Sequence, residues 1–377
     1  MPESPSIQGT TRAIIDLAAF RHNLDAVRAY VGPSVAIMAV VKADGYGHGM
    51  VRIARAALSH GAGHLGVARV HEGLELRAAG ITAPVLVFET PARETIREAL
   101  AADLDLTLVS EESLEWVEQS AREIGSVARV QVKVDTGMGR LGRPAEAAAP
   151  LVVRAARSPL LRLAGVYSHF ATSEDPDTRF AELQLRRDSE LLMAVGREGV
   201  TVPLRHMANS GAIMTMPGAH LDMVRPGIML YGYPPGQAMM ERYPVRPVLS
   251  LVTRAAFVKT VGPNTSISYG RKYFTGRTTT IVTVPAGYAD GYSRLLTGKG
   301  EALIRGRRYP IVGTICMDQM MIDVGPHDRV EVGDDVVLIG RSGSEGITAW
   351  DLAAATGTIP YETTSLLTRR VTREYRG

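Results

Sequence analysis

Cysteine is nearly absent from this chain: among 377 residues there is one, Cys316. A single thiol forbids an intrachain disulfide and a cysteine-built zinc cluster, and it points to a reducing compartment, the cytoplasm. The nine histidines are dispersed without metal-ligand spacing, so no metal site is expected. Long apolar runs are missing too. The run Val35–Val41 is far shorter than the ~20 residues a membrane helix needs, which leaves no membrane partner. The opening stretch MPESPSIQGT has neither a basic nor an apolar segment, so no signal peptide is expected. An excess of one charge is lacking as well. The formal net charge is +3 and the Lys and Arg are scattered, which argues against a nucleic-acid partner. The motifs G-x-x-x-x-G-K-[ST], H-E-x-x-H and G-x-S-x-G do not occur.

What is present is an ordinary globular composition, 45% hydrophobic and 21% charged, in a chain long enough for roughly two domains. Short apolar strands alternate with amphipathic stretches through the first two-thirds. The strand-like runs are Val35–Val41, Leu65–Val70, Val85–Phe88, Leu104–Val109, Val130–Val134, Leu163–Ser168, Leu204–Met207 and Met223–Tyr231. Helix-like segments between them include Val51–Leu58, Glu72–Ala79, Glu111–Ile124, Ala145–Arg157 and Phe180–Gly199. Such alternation calls for a parallel sheet, and its length suits a (β/α)8 TIM-type barrel, with an open doubly wound sheet as the alternative. After about Pro244 the texture becomes β-rich and broken by Gly and Pro: Leu249–Val258, Thr278–Pro285, Glu301–Ile304, Pro310–Cys316, Met320–Val324 and Asp335–Ile339. Helical patterning returns only at Ala349–Ala355 and Ser365–Glu374. The expected division is therefore a barrel over 1–244 and a mainly β C-terminal domain over 245–377. Arg12–Asp16 is strand-like, and residues 1–16 are free to pair with either.

In a barrel the chemistry sits at the C-terminal ends of the strands. The first such end is Lys42, directly after seven apolar residues and followed by the glycine-rich Asp44-Gly45-Tyr46-Gly47-His48-Gly49. Partial desolvation there lowers an amine pKa and makes it nucleophilic; the bland reading is a snorkelling lysine. The fifth end, Lys133-Val134-Asp135-Thr136-Gly137-Met138-Gly139-Arg140-Leu141-Gly142, contains G-x-G-x-x-G. The next strand ends in His169 rather than an acid for a ribose, and Pro144 interrupts the binding helix, so Arg140 reads better as an anion clamp than as part of a dinucleotide site. Later ends bring His169, then His206 followed by Asn209-Ser210-Gly211, then Arg225-Pro226-Gly227. The loops after the seventh and eighth strands are where barrels often bind phosphate. An activated lysine with a phosphate site suggests pyridoxal phosphate held as a Schiff base.

The segment Ala39–Gly49 resembles the pyridoxal-phosphate attachment segment of the alanine racemases. The likeness runs from Ile14–Asp16 to Arg373–Tyr375 and includes Lys133–Gly142, Ser168–Ala171, Ala208–Ser210, Val224–Gly227, Ser268–Gly270, Gly287–Gly291 and Cys316–Gln319. Departures are Gly45, where Ala is common, and Thr314, where Arg is common; neither is expected to touch the chemistry directly, and both are expected to act through loop packing. The resemblance implies a homodimer with shared sites that racemises L- and D-alanine with pyridoxal 5'-phosphate, supplying D-alanine for peptidoglycan. A broader or serine-type racemase of the same family is the alternative. By the same resemblance Lys42 is the cofactor lysine and one acid/base, and Tyr269, from the partner subunit, is the other. His169 and Arg225 are the cofactor-side network that helps the Tyr269 phenol ionise, with Arg225 facing the ring nitrogen. Arg140 meets the cofactor phenol oxygen or the substrate carboxylate, the Met317 backbone N–H meets that carboxylate, Tyr46, Ser210, Gly227, Ile228 and Tyr361 form the phosphate cup, and Tyr288 lines the entrance. Lys133 is a residue that relatives often carry as a carbamate.

Overall fold

The computed structural model describes residues 10–236, 239 and 243–377. The chain divides into two compact units. One holds the described residues of Met1–Phe20, Tyr46–Gly49 and Arg246–Gly377; the other holds Arg21–Gly45 and Met50–Val245.

The second unit is a closed parallel barrel. Its eight strands are Ala36–Val40, His64–Val67, Val85–Val87, Asp105–Leu108, Ala128–Asp135, Leu161–Tyr167, Arg205–His206 and Met223–Val224, and pairing of the first with the last closes the ring. The open doubly wound alternative is thereby excluded. Helices Met50–Ser59, Val70–Ala78, Ile96–Ala101, Glu111–Ile124, Ala145–Arg157 and Arg179–Arg197 form the crossovers. Glu111–Ile124 starts where its sequence says it must: Ser110 Oγ accepts the Ser113 N–H, and Gly125 ends it at φ 67°. Inside the barrel, Met38, Leu86, Tyr167 and Met223 pack together with Ala36, Phe88 and Leu204 around them.

The run Met223–Tyr231 is not one strand. Pairing stops at Val224, and Ile228–Tyr231 is a 3-10 turn. Pro226 has no N–H to continue a ladder, and Gly227 (φ −115°, ψ −100°) turns the chain. The first unit is a mainly β domain. Leu249–Val258 is two strands, Leu249–Arg254 and Phe257–Val261, because the chain changes partner: the former pairs with Asp335–Ser342, the latter with Thr279–Val284. Arg12–Asp16 lies between Leu249–Arg254 (antiparallel) and Thr372–Arg376 (parallel). Ser365–Glu374 is therefore not a helix: the helix is Pro360–Ser365, and the following residues turn into that edge strand. Ile267, Ile281 and Val312 form a core cluster in this unit.

Two glycines give the fold a direct test. At Gly142 (φ +115°) an added Cβ would lie 2.9 Å from Val134 C and Lys133 O, whereas at Gly199 (φ +74°) nothing lies within 4 Å. Gly142→Ala should cost roughly 2 kcal/mol more than Gly199→Ala, which carries only the left-handed penalty of about 1–2 kcal/mol. Thermal denaturation of both variants checks this, and equal losses would contradict it.

Candidate active site

Lys42 stands two residues past the end of the first barrel strand and is half-buried. The chain then makes a left-handed turn: Ala43, Asp44, Gly45 and Tyr46 have φ of 53°, 52°, 61° and 53°. Three of these are not glycine, and the penalty is ~1–2 kcal/mol for each. Local bonds hold the turn. The Ala43 N–H donates to Glu72 Oε1 (2.7 Å), the Gly45 N–H to Val41 O (2.8 Å) and the Met50 N–H to Asp44 Oδ1 (2.9 Å). Glu72 is buried and accepts two further amides, those of Ala68 and Arg69. Burial pulls the Lys42 amine below its ordinary range, Arg140 adds to this, and Glu72 opposes it.

The G-x-G-x-x-G loop is organised by its own acid. Asp135 Oδ1 accepts the Gly137 N–H (2.8 Å) and Oδ2 the Gly139 N–H (2.9 Å). Gly142 lies against the backbone of the strand before it. The glycines thus serve the loop's own folding, which removes the support for a dinucleotide reading. The loop leaves Arg140 exposed at its tip.

Arg225 is buried, with 4% of its surface exposed. Its Nη1 meets His206 Nδ1 at 2.7 Å, and its Nη2 lies 2.6 Å from Ser168 O, 3.1 Å from Met207 O and 3.2 Å from His169 Nδ1. Burying a cation costs several kcal/mol, and hydrogen bonds from a charged group return ~1.5–3 kcal/mol each, so these contacts bring the group near balance. Desolvation still draws its pKa down to about 10. Tyr167 stacks on His206 (5.0 Å between centroids, 3° between planes), and the Arg225 guanidinium and Lys133 ammonium lie 5.3 and 5.4 Å from the Tyr167 ring centre. Lys133 donates to Val134 O at 2.7 Å, and burial, helped by Arg225 and Arg140, lowers its pKa to about 7. Burial holds His169 well below its ordinary value, and Arg225, Arg140, Lys133 and Lys42 all act in the same sense. Desolvation raises the nearby Asp188 to about 6. The barrel thus gathers Lys42, Lys133, Arg140 and Arg225 into one field.

Ser210 Oγ accepts the N–H groups of Gly227 (3.0 Å) and Met229 (3.4 Å), so Ser210, Gly227 and Ile228 stand together. In the β unit, Tyr46 and Tyr361 face each other with ring centres 6.1 Å apart. Gly287 explains how two of its motifs meet: a Cβ there would lie 2.3 Å from Met317 O and 2.4 Å from Cys316 O. The Tyr288 and Ala289 amides donate to those two carbonyls. Tyr269 is 73% exposed, and Tyr288 and Met317 are exposed as well. The Tyr269 backbone is pinned: Thr314 Oγ1 donates to Tyr269 O (2.8 Å), and Ser268 Oγ donates to Thr314 O (2.6 Å). Thr314 thus acts on the packing of the Tyr269 loop, through its backbone. Glu72, Asp188 and Gln131 were missed there because nothing local marks a mid-element acid or amide. Among the described residues no cluster suits a metal ion, and no helix is long and apolar enough to cross a membrane.

These features define a class: a (β/α)8 barrel with an appended β domain, carrying a desolvated lysine in a cationic field at its strand ends. The comparisons narrow the class. The alanine racemase N-terminal domain matches residues 15–235 and the C-terminal domain 248–375. "Alanine racemase 2" of Caldanaerobacter subterraneus is 42% identical over 366 residues, covering 97% of this chain and 94% of that protein. The crystal structure of alanine racemase from Streptomyces lavendulae is 40% identical with a TM-score of 0.92, covering 97% of both chains. More distant is a histidine racemase from Leuconostoc mesenteroides, 27% identical with a TM-score of 0.89 and 99% of both chains covered. The chain belongs to the alanine racemase family.

The electrostatics of Lys42 can be measured on the protein alone. Arg140→Ala should move its titration to higher pH and Glu72→Gln to lower pH, since the first removes a like charge and the second a stabilising one. The pH dependence of Lys42 labelling by an amine reagent, read by peptide mapping, reports both. Identical profiles in all three proteins would contradict this assignment.

Proposed function

We propose that this protein interconverts L- and D-alanine using pyridoxal 5'-phosphate. The observation that carries the reading is the cationic field around Lys42. Arg140 disfavours the charged form of Lys42, Arg225 and Arg140 that of Lys133, and all four cations that of His169, while Asp135 and Glu72 also accept backbone amides. Such a field favours an anionic guest, and the donor chemistry fits this cofactor: an amine for its aldehyde, hydroxyl and amide groups for its phosphate. Bound there, the cofactor supplies an electron sink that makes the α-proton of an attached amino acid acidic.

The chain's residues do the rest. Ser210, Gly227 and Ile228 would hold the phosphate, with Tyr46 and Tyr361 added by the family resemblance. Arg225 would be the cation beside the ring nitrogen, where it would disfavour ring protonation and so limit transamination. His169 accompanies it. Arg140 and the Met317 N–H orient the substrate carboxylate, and Tyr288 lines the entrance. Lys42, whose amine is already lowered, takes or returns the proton on one face. The partner subunit's Tyr269 serves the opposite face, which makes the enzyme an obligate homodimer; the pinned backbone and exposed phenol of Tyr269 support that role. Racemisation needs both, because a proton leaves one face and arrives on the other. Lys133, whose pKa burial lowers to about 7, has a neutral amine form within reach that would add carbon dioxide and release a proton to give a carbamate.

The same reading places the enzyme in the cytoplasm, supplying D-alanine for peptidoglycan. The relatives at 40% identity and above favour alanine over the larger substrate of the histidine racemase.

A chiral assay of purified protein against the proteinogenic amino acids should show alanine as the best substrate; preference for serine or histidine would overturn the substrate assignment. Tyr269→Phe should lower proton abstraction from L-alanine at least ~100-fold, and abstraction from D-alanine far less. Solvent-deuterium exchange measures each, and equal losses would remove the two-faced division. Mixing Lys42→Ala and Tyr269→Ala proteins should restore activity through mixed dimers, and no recovery after verified subunit exchange would refute the shared site.

A further inference from the structure

Arg225 is the outer end of a line of hydrogen bonds that runs through the barrel. Its Nη1 meets His206 Nδ1 at 2.7 Å, and His206 Nε2 meets Gln131 Oε1 at 2.7 Å. Gln131 Nε2 donates to Asp105 Oδ2 at 3.1 Å. Arg129 closes the line, its Nε 2.9 Å from Asp105 Oδ1 and its Nη2 donating to Asp105 Oδ2 at 3.3 Å. Asp105, Gln131 and His206 are buried, at 1%, 0% and 1% exposure, so water does not substitute for any link.

The chemistry of the two ends fixes every orientation between them. A carboxylate paired with arginine has no proton to give, so Gln131 must turn its NH2 to Asp105 and its carbonyl to His206. That carbonyl only accepts, so His206 must carry its proton on Nε2. Nδ1 then offers a lone pair, the one thing on an imidazole that a guanidinium can use. A proton on Nδ1 instead would set a lone pair against the Gln131 carbonyl and an N–H against a cation.

We propose that Asp105 and Gln131 are positioning residues for the racemase reaction, anchoring His206 as its Nε2–H tautomer and through it the Arg225 guanidinium. The inference rests on the reading of Arg225 as the cation beside the cofactor ring. Neither residue is at a strand's C-terminal end: Asp105 opens its strand and Gln131 is in the middle of the next.

The test begins with wild-type protein labelled with 15N-histidine and free of cofactor. Long-range 1H–15N correlation, with His206→Gln supplying the assignment, should show the His206 proton on Nε2 and protected from exchange. A proton on Nδ1 overturns the proposal without need of any other variant. In holoenzyme, Asp105→Asn and the near-isosteric Gln131→Met should each lower kcat about tenfold, the scale usual for outer partners of a bound group, with KM little changed. Both should raise the share of turnovers that end in transamination, seen as loss of the visible absorbance. In a His206→Gln background, Gln131→Met should add no further loss. Additive losses, or a fall in kcat with the transamination share unmoved, would mean a purely structural role. A wild-type protein that never takes up pyridoxal phosphate would take this proposal down with the functional reading, while the histidine spectrum would still show whether the line itself is correct.

Discussion

Like charge gathered in one place is the constraint from which the rest of the barrel unit follows. Arg225 is almost wholly buried over the Tyr167 ring, Lys133 is buried beside that ring, and Lys42 and Arg140 share their field. A folded chain does not assemble such a group for stability, since each charge weakens the others' hold on their protons. The carboxylates nearby offset it only in part: Glu72 supports the charged form of Lys42, and Asp135 and Asp188 that of Lys133, but burial and the neighbouring cations outweigh them, and Asp135 and Glu72 also accept backbone amides. What remains is a positively charged interior holding an amine whose pKa burial has lowered.

Backbone strain is concentrated next to the same groups. The left-handed turn after Lys42 has three non-glycine residues in a conformation that unconstrained chains avoid. It persists because Glu72 and Asp44 accept the amides the turn exposes. In the β unit, Ser268 (φ 67°) and Arg271 (φ 48°) flank Tyr269 with similar strain, and Thr314 and Ser268 hold that loop through their hydroxyls. In both places the surroundings over-determine the backbone of one reactive side chain.

Much of this was legible from residue order. Seven apolar residues before Lys42 describe a buried strand ending in a desolvated amine, and Glu111–Ile124 and Ala145–Arg157 have the bounds their patterns predict. The failures have physical causes. Met223–Tyr231 is apolar throughout, yet Pro226 and Gly227 break it. Ser365–Glu374 has helical spacing, but Thr372–Arg376 is claimed by the strand Arg12–Asp16 from the far end of the chain. Gln131, Asp105 and Glu72 carry no local mark, because their meaning arises only from partners distant in sequence. The G-x-G-x-x-G pattern misleads for the opposite reason: its glycines answer to Asp135 and to the preceding strand rather than to a ligand.

The central claim is that the cationic field of the barrel exists to seat an anionic aldehyde on one particular amine. The most direct measurement is to incubate the purified protein with pyridoxal phosphate, reduce it with borohydride and map the labelled peptide. The account predicts stoichiometric label on Lys42 and its loss when inorganic phosphate is added in large excess. Label spread over several lysines, or placed on Lys133 with Lys42 unmodified, would contradict it.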